Sequence, residues 1–501
     1  MSLIGLDVGT TGTKAMIIDT DSKILASAYR EYKMEFPTVG QYELNPELVW
    51  ESVKEVLRSC MEQCEHGRDN IKGISVSSLG EAAVFIDKKG EVLANSILYI
   101  DNRGAEQLEK LIDAIGEDRI IDKTGLRPHI MYTLPKLMWL IEHNKIDQKL
   151  YKLLSFGSFI LYRLGSRPVM DYSLASRTMA FNVHKFDWDD EMINSARVRD
   201  DIFPELAPAG TIIGEVSPDV ANELSLPIDF KLVLGAHDQL CAAIGAGLNK
   251  EKQATYGIGS TACISPVFST NVDVKKLALN NFPLIPYING QFTTYAFNFT
   301  GGSILKWFRD QLGFMEIKEA EKSNRSVYDL LNEKASKCPT GILVLPHFAG
   351  SGTPFMNPNS TGAFVGITLN TSKMEIYRGI LEGITYEMRY NLDCLENAGI
   401  YIDELKVSGG GANSELWLQI MADIMNKKIV ALDINETGIL GTMILTSVSL
   451  GIYNTYDEAS EKLFKIRKVY FPQSRNKKVY HQHYQKYKKM YHAVKSVLSE
   501  E

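Results

Sequence analysis

Short β-prone runs separated by turns mark the start of the chain. Two of them, residues 3–8 and 13–18, flank a turn of Gly and Thr, which predicts a hairpin. A third run covers residues 24–32. A helical pattern then covers residues 45–64, and its early proline suits the first helical turn. The predicted order is three strands followed by a helix.

Further along the chain, β-prone and helical runs alternate, which is typical of an α/β domain. The β-prone runs cover residues 71–77 and 83–87, and residues 104–200 are mostly helical in pattern. We interpret the proline-bearing stretch 203–227 as a connection and the polar residues 248–252 as a domain boundary.

After this boundary the early pattern begins again. Residues 254–264 repeat a β-prone run, a Gly-flanked Ser/Thr turn and another β-prone run. Glycine groups also precede two later helical patterns. A chance match of one such turn is the alternative, and both interpretations stay open at this point. With the boundary at residue 248, a true repeat divides the chain into two α/β domains, residues 1–247 and 248–501, with a helical tail from about residue 455 in the second.

The composition narrows the class of protein. The chain has 501 residues, 45% of them hydrophobic and 23% charged, which is the range of globular proteins with two or three domains. Its formal net charge of −7 argues against nucleic acid or an anionic membrane as a partner. The six cysteines are scattered, and no apolar stretch has the length of a membrane span. We therefore expect a cytoplasmic protein whose partner is a small molecule; a homodimer is left open.

The first candidate site is the turn that follows Asp7. The backbone N–H groups and hydroxyls of Thr10, Thr11 and Gly12 could wrap phosphate oxygens, and Lys14 adds a positive charge. Asp7 could hold Mg²⁺ through its water shell. The sequence has no GxxxxGK[ST] loop, so any nucleotide is held differently from that of a P-loop protein. An ordinary hairpin with a turn aspartate fits the same residues, and both interpretations stay open at this point.

The second candidate is Asp238, which follows the β-prone run 231–234. A carboxylate at the end of a strand can act as general base toward a bound hydroxyl, as phosphoryl transfer requires. Capping of the following helix is the alternative explanation for an aspartate at this position.

Two rival patterns are weaker. The glycines of residues 257–262 match a dinucleotide-binding fingerprint, but Pro266 and β-branched residues follow them instead of an amphipathic helix. The histidines form neither an HExxH motif nor a cluster with cysteines, so no protein-held zinc site is predicted. His237 and His347 are interpreted as residues that line the site or support the fold.

The motifs occur in an order that resembles one known family. In chain order they are DVGTTGTK, GAHDQ, GIGSTA, TGGSILKW, PHFAGSGTPFMNP, GAFVGITL and SGGGANSELW. This succession, from about residue 3 to residue 452, is similar to that of the FGGY carbohydrate kinases. The resemblance implies two RNase H-like domains, as in actin-like ATPases, with ATP and sugar meeting in a central interdomain cleft.

The resemblance also implies roles for particular residues. Asp238 matches the family's catalytic base, and ATP is expected with Mg²⁺ anchored near Asp7. The residues expected to contact the nucleotide are Thr10, Thr11, Gly12, Lys14, Gly259, Ser260, Thr261, Gly302, Lys306, Gly410, Gly411 and Asn413.

The acceptor sugar is less closely defined. Residues 78–82 depart from the Gln-Met-His-Gly-like string that is typical of xylulokinases. Asp101 and Arg103 resemble the family's sugar-binding Asp-x-Arg, where each side chain could take adjacent hydroxyls. Glu81 is a further candidate, with an exposed loop carboxylate as the alternative, and Gln239 completes the expected substrate contacts. A ketopentose such as xylulose ranks first, before another ketose, a sugar acid or a polyol.

Two functions of other classes share some of these features. An actin-like or chaperone-like ATPase has the same phosphate loops, but the GAHDQ and DNR strings suit a polyhydroxylated substrate. A catalytically silent sugar sensor would not need both Asp7 and Asp238. The sequence therefore predicts an ATP-dependent sugar kinase.

Overall fold

The computed structural model describes residues 1–64, 70–146, 149–269, 271–433, 436–463 and 465–498. The chain forms two compact units. Unit 1 comprises Met1–Asn249, Pro283–Thr293 and Glu436–Phe464. Unit 2 comprises Lys250–Phe282, Thr294–Asn435 and Lys465–Glu501.

Strands occur along the whole described chain. In order they are β1 (Ser2–Val8), β2 (Gly12–Asp19), β3 (Ile24–Glu31), β4 (Glu43–Leu44), β5 (Ile71–Ser78), β6 (Ala83–Ile86), β7 (Val92–Ala94), β8 (Ser96–Ile97), β9 (Lys152–Ser155), β10 (Val169–Asp171), β11 (Phe181–Asn182), β12 (Asp187–Trp188), β13 (Glu205–Ala207), β14 (Ile212–Glu215), β15 (Lys231–His237), β16 (Gln253–Ile258), β17 (Ala262–Phe268), β18 (Ile285–Pro286), β19 (Phe292–Thr293), β20 (Ala296–Asn298), β21 (Leu343–Leu345), β22 (Ala363–Val365), β23 (Glu404–Ser408), β24 (Lys428–Leu432) and β25 (Ile466–Tyr470).

The helices alternate with these strands. In order they are α1 (Pro46–Gln63), α2 (Ala105–Ile115), α3 (Glu117–Thr124), α4 (Thr133–Glu142), α5 (Phe156–Leu164), α6 (Tyr172–Ser176), α7 (Asp190–Ser195), α8 (Pro218–Leu224), α9 (Asp238–Gly245), α10 (Val274–Leu279), α11 (Gly302–Leu312), α12 (Phe314–Ser323), α13 (Val327–Lys334), α14 (Lys373–Asn397), α15 (Glu415–Met425), α16 (Thr437–Ser449), α17 (Tyr456–Leu463), α18 (Ser474–Tyr487) and α19 (Met490–Leu498). None of the described helices is both long and apolar enough to cross a membrane.

A mixed sheet forms the centre of unit 1, in the order β14-β15-β5-β1-β2-β3. Strands β1, β5 and β15 are parallel to one another, whereas β2 and β3 continue as an antiparallel meander. The predicted opening of three strands and a helix is confirmed. The Asn45 side chain caps α1 by accepting the N–H groups of Glu47 and Leu48, at 3.0 and 3.4 Å.

Helices cover both faces of this sheet, which explains why its central strands are almost entirely buried. The apolar face of α1 joins a large core cluster that includes Val53 and Leu57. On the other face, Ile439 and Met443 of α16 pack against side chains of β1 and β2. A segment late in the chain therefore completes the core of the first unit.

Helices α9 and α16 cross at unusually close range in unit 1. A Cβ atom added to Gly245 would lie 1.9 Å from the Thr437 carbonyl oxygen, and one added to Gly441 would lie 1.9 Å from the Cys241 carbonyl oxygen. Only glycine allows two helix backbones to approach this closely.

Unit 2 contains a second sheet in which β17, β16, β23, β24 and β25 lie side by side. Strand β16 is parallel to β23, and β23 is parallel to β24. The predicted repeat of a hairpin is present, because β16 and β17 pair antiparallel around a short Gly-Ser-Thr turn. The long helix α14 begins with a reciprocal capping box between Ser372 and Glu375.

The structure differs from the sequence-based prediction in three places. Residues 203–227, interpreted as a connection, contain β13, β14 and α8, and β14 is part of the unit 1 sheet. The tail from about residue 455 is not wholly helical, because Ile466–Tyr470 forms β25 against β24. The chain passes from unit 1 to unit 2 after Asn249, close to the predicted boundary at residue 248. Helix α16, however, belongs to unit 1, because its apolar side chains pack on β1 and β2. The division into functional domains 1–247 and 248–501 stays a prediction.

Candidate functional site

Three candidate carboxylates lie at one edge of the unit 1 sheet. Asp7 is the next-to-last residue of β1, Glu81 follows β5, and Asp238 follows β15. The register aligns Asp7 with Ser77 of β5 and aligns Ser77 with Ala236 of β15. Because these strands are parallel, their carboxyl ends share an edge, which is where α/β proteins bind ligands.

The predicted phosphate turn is held by hydrogen bonds within the hairpin. The Gly9 N–H donates to the Gly12 carbonyl at 2.9 Å, and the Tyr32 hydroxyl donates to the Gly9 carbonyl at 2.6 Å. Thr10 is half-buried and Thr11 is exposed. The Lys14 ammonium forms an ion pair with Glu436 at 2.6 Å, a partner from just before α16 that the sequence did not indicate.

Asp7 is a carboxylate with an altered affinity for protons. The pKa of Asp7 is raised to about 6, mainly by burial and in smaller part by the charges of Asp238 and Glu436, while a bond from the Ser77 hydroxyl and the charge of Lys14 oppose the shift. That hydroxyl donates to Asp7 Oδ1 at 2.6 Å. The bond fixes the carboxylate at the sheet edge, where a cation or a phosphate-bound water could reach it.

Asp238 stands where β15 turns into α9. The cap of α9 is His237, whose Nδ1 accepts the Gln239 N–H at 3.3 Å, so Asp238 is the first helical residue and not the cap. The Asp238 side chain keeps 40% of its surface open to solvent although protein atoms surround the carboxylate. Burial raises its pKa, as does the charge of Glu81, whereas His237 lowers it. Gln239 is exposed beside it.

Glu81 is buried and paired, which contradicts the alternative of an exposed loop carboxylate. Its Oε1 accepts Arg177 Nε at 2.6 Å, and Arg177 Nη2 lies 2.5 Å from the same oxygen. Burial alone would raise the pKa of Glu81, but the charges of Arg177, His237 and Lys136 outweigh it, so the pKa is lowered. The sequence analysis did not select Arg177 or Lys136, because their partners are distant along the chain.

Asp101 and Arg103 are bound mainly to each other. Arg103 Nη2 lies 2.7 Å from Asp101 Oδ2, and Asp101 also accepts the Tyr42 N–H at 2.7 Å. Arg103 Nη1 donates to Glu43 at 2.7 Å. Asp101 has no exposed surface and Arg103 has 10% of its side chain exposed. Direct contact of both residues with a sugar stays a prediction, and for Asp101 the bonds favour a role in positioning Arg103.

The predicted nucleotide residues of unit 2 come together at the carboxyl ends of β16 and β23. The Gly302 N–H at the start of α11 donates to the Gly259 carbonyl at 2.8 Å, which joins the second loop to that helix. Ser260 and Thr261 are exposed at the tip of the loop. Lys306 is exposed one turn further along α11.

Two glycines of these loops are not explained by packing. A Cβ atom added to Gly259 or to Gly410 would meet no atom of the described residues within 4 Å, and neither residue has a positive φ. Glycine at such places permits a ligand to approach the backbone closely. Gly411 differs, because a Cβ atom there would lie 2.5 Å from the Ile258 side chain.

The end of the third loop is tied to β25. Asn413 is exposed, and its side-chain oxygen accepts Arg467 Nη1 at 2.9 Å. Arg467 also donates to the Ala412 carbonyl. The interpretation of the tail as a helix could not reveal this contact, since it depends on the pairing of β25 with β24.

His347 has a structural role. It is completely buried in unit 2, its Nδ1 lies 2.7 Å from the Ser360 hydroxyl, and its Nε2 lies 3.3 Å from Glu387. His237, in contrast, is part of the Asp238 cluster. No group of three or more potential metal-binding side chains occurs among the described residues.

A predicted phosphate loop in each unit, with the Asp7 carboxylate and the partly exposed Asp238 in unit 1, is a combination typical of phosphoryl-transfer enzymes. Comparison with known proteins specifies the family. Residues 2–245 match the N-terminal domain, and residues 259–450 the C-terminal domain, of the FGGY family of carbohydrate kinases. The chain belongs to this family, whose members use ATP, and it is a phosphotransferase with an alcohol group as acceptor.

Individual relatives carry different substrate names. The chain is 29% identical to a glycerol kinase of Thermococcus gammatolerans over 96% of each chain, and 28% identical to a xylulose kinase of Staphylococcus epidermidis over 99% of this chain and 98% of that one. The crystal structure of a gluconate kinase from Lactobacillus acidophilus matches with a TM-score of 0.87, 25% identity and 98% coverage of both chains. The predicted two-domain α/β fold and sugar-kinase class are confirmed, and the actin-like or chaperone-like ATPase is not supported.

Proposed function

We propose that this kinase transfers the γ-phosphate of ATP to a hydroxyl of a small polyhydroxylated acceptor, with a ketopentose such as xylulose as the first candidate. The observation that carries the proposal is the position of Asp238. It is a partly exposed carboxylate with a raised pKa, at the strand edge that also holds Asp7 and Glu81. A raised pKa makes a carboxylate a stronger base near neutral pH.

In the proposed reaction, Asp238 accepts the proton of the acceptor hydroxyl. The hydroxyl oxygen forms a bond to the γ-phosphorus, the bond between that phosphorus and the β–γ bridging oxygen breaks, and ADP leaves. Backbone N–H groups of the first and second loops would bind phosphate oxygens. Lys14 would exchange its contact with Glu436 for a phosphate oxygen.

The chemistry of Asp7 fits a hydrated Mg²⁺ ion. Carboxylate oxygens are the ligands that Mg²⁺ prefers, and this ion is usually held by one or two carboxylates, by waters and by substrate phosphates. When bound, it would neutralise charge on the β- and γ-phosphates. Asp7 would hold the water shell of the ion, while Ser77 fixes the carboxylate.

Replacement of the proposed base tests the mechanism. Asp238→Asn is expected to lower kcat by about 10²–10⁴-fold, the usual contribution of a general base, with an unchanged melting temperature. Asp229→Asn is the matched control, because Asp229 is an exposed carboxylate of the same unit whose described contact is with Lys72 at 3.4 Å.

The assay is sugar-dependent ADP release, measured with a panel of ketopentoses, ketohexoses, sugar acids and polyols. Activity that depends on the acceptor would exclude a silent sensor. Near-normal turnover by the Asp238→Asn variant would contradict the assignment of the base. A best acceptor outside the ketopentoses would correct the ranking of substrates but not the mechanism.

A further inference from the structure

The turn that carries Glu81 has an unusual backbone. Glu81 has a positive φ of 62°, and the Ala82 N–H donates to the Gly80 carbonyl at 2.7 Å, which closes a three-residue turn. The Glu81 carbonyl accepts the Thr133 hydroxyl at 2.6 Å. A bulky buried residue keeps such a conformation only where its surroundings enforce it, and such positions concentrate at functional sites.

Arg177 is the main constraint on the Glu81 side chain. Both described contacts from its guanidinium reach Oε1, at 2.6 and 2.5 Å. The guanidinium also stacks on the Tyr132 ring at 4.9 Å. Arg177 and Glu81 have only 1% and 7% of their side chains exposed, so the pair is fixed both in orientation and in charge.

The pair belongs to the acceptor side of the site. A Cβ atom on Gly80 would lie 2.5 Å from the His237 ring, so the missing side chain makes room for this ring, and it would lie in ordinary contact with Cγ of Arg177 at 3.5 Å. Burial and the charge of Glu81 raise the pKa of Asp238, and burial with the charges of both carboxylates raises the pKa of the partly exposed Tyr99. His237 links the two carboxylates in space, because its ring packs against Gly80, next to Glu81, and its Nδ1 lies 3.2 Å from Asp238.

Two cations, Arg177 and Lys136, lie near Glu81 and lower its pKa against the effect of burial. The Arg177 guanidinium compensates Glu81 directly. Lys136 also acts on Glu81, but its ammonium is buried and donates to the Leu98 carbonyl. His237 lies 3.2 Å from Asp238. The carboxylate of a sugar acid would face the negative charges of Glu81 and Asp238. The two buried cations are already engaged, because Arg177 pairs with Glu81 and Lys136 donates to the Leu98 carbonyl.

We propose that Arg177 is a specificity-determining residue that orients and neutralises Glu81, so that the site selects uncharged polyhydroxylated acceptors over sugar acids. The inference rests on the proposed function and narrows its substrate class. Glu81 Oε2 accepts a hydroxyl of the substrate, while Oε1 stays bound to Arg177. A sugar acid is disfavoured because its carboxylate has no compensating cation in this arrangement.

The test compares xylulose, glycerol and gluconate as acceptors. Coupled ADP release gives kcat/KM for each, and calorimetric titration without ATP gives the affinity. For the unaltered protein we expect gluconate to be at least about 100-fold poorer than the better neutral acceptor, the size of effect expected when charges lack partners.

Glu81→Gln removes the negative charge and leaves the guanidinium uncompensated. We expect kcat/KM for the neutral acceptors to fall by about 10–100-fold, because a charge-assisted hydrogen bond is lost. The gluconate value is expected to stay level or rise, so that the ratio of neutral to acidic acceptor shifts by at least about 10-fold. A purely structural role would lower both acceptor classes by the same factor.

Arg177→Lys is the second variant, since lysine keeps the charge but loses the planar fork. It is expected to move the ratio in the same direction by a smaller factor. Arg163→Lys is the matched control, because Arg163 pairs with Glu47 and stacks on Phe159 elsewhere in unit 1. If Glu81→Gln does not fold, the Arg177→Lys ratio decides alone.

The possible outcomes separate this inference from the proposed function. Preference of the unaltered protein for gluconate, or equal changes for both acceptor classes in the variants, would overturn the role of Arg177 and leave the kinase assignment intact. If none of the three is phosphorylated, the best neutral acceptor of the full panel takes their place, and failure of every panel member would overturn the proposed acceptor class itself, and the inference with it.

Discussion

The crossing of α9 and α16 supports the sharpest prediction about stability. Helix α9 begins at the candidate base Asp238, and α16 begins directly after Glu436, the partner of Lys14. The two helices approach each other backbone to backbone at Gly245 and Gly441. Replacement of Gly441 by alanine places a Cβ atom 1.9 Å from the Cys241 carbonyl oxygen. The obstacle is backbone, which cannot rotate away as a side chain does.

The size of the effect follows from this geometry. An ordinary contact of a Cβ atom begins near 3.4 Å, so the helices must separate by about 1.5 Å. Overpacking by one carbon costs about 1–3 kcal/mol, and a backbone obstacle places Gly441→Ala at the upper end. Alanine has a better helix propensity than glycine, which offsets up to about 1 kcal/mol of this cost. The net loss in the free energy of unfolding is therefore about 2 kcal/mol. This corresponds to a melting temperature lower by roughly 4–8 °C.

Gly438 supplies a matched control on the same helix. A Cβ atom there would come no closer than 3.5 Å to any atom of the described residues, the nearest being in Asp7 and Ser77, which is an ordinary contact. Thermal unfolding followed by circular dichroism is expected to show little change for Gly438→Ala. The reasoning is refuted if Gly441→Ala melts within about 2 °C of Gly438→Ala, less than the shift expected from 1 kcal/mol.

Two further predictions concern the phosphate loops. The pKa of Asp7 is raised to about 6, mainly by burial, so the folded protein binds a proton at Asp7 more tightly than the unfolded chain does. The protonated Asp7 therefore stabilises the folded state. This contribution to the free energy of unfolding is complete below pH 3.8, the ordinary pKa, and is lost as the pH rises through 6. In urea-induced unfolding, Asp7→Asn is therefore expected to be as stable as the unaltered protein at low pH and more stable than it at pH 7.5. The variant is also expected to lose activity. Equal stability of the two proteins at pH 7.5 would contradict the raised pKa of Asp7. Gly410→Ala is expected to raise KM for ATP by roughly 3–30-fold with unchanged kcat and melting temperature, because open space surrounds Gly410 and only a ligand would meet the new methyl group. Gly411→Ala, which meets Ile258, is expected to lower the melting temperature, and an unchanged KM for ATP in Gly410→Ala would argue against the nucleotide role of this loop.

Local patterns predicted the two hairpins and their loops well. The alternation of apolar positions around Gly-Thr and Gly-Ser-Thr turns is a short-range signal, and the strands formed where it indicated them. The stretch 203–227 was harder, because β13 and β14 are short and their pairing partners lie elsewhere in the chain. The strand Ile466–Tyr470 was missed for the same reason, since its partner β24 precedes it by more than thirty residues.

The residues of the candidate site also differ in whether a short-range sequence signal reveals them. Asp7, Asp238 and the loop glycines were selected from the sequence because their chemistry and spacing are visible in short strings. Arg177 and Glu436 were not, because each acts through a residue that is distant in sequence: Arg177 through Glu81, and Glu436 through Lys14. At Asp238 the structure removes the alternative of a helix cap, because the cap of α9 is His237, and the role of general base stays a prediction.

The sequence by itself determined the α/β class, the two hairpins with their Gly-Thr and Gly-Ser-Thr turns and, through the order of its motifs, the family. Each of these depends on neighbouring residues whose spacing is fixed by the covalent chain. Only the tertiary structure decided which charges compensate one another. The pairing of Glu81 with Arg177 and of Lys14 with Glu436, and the return of α16 to the first unit, depend on packing between distant segments. These contacts could not be predicted from neighbouring residues, because the energy of a buried charge is set by the partners that the fold brings within hydrogen-bonding distance.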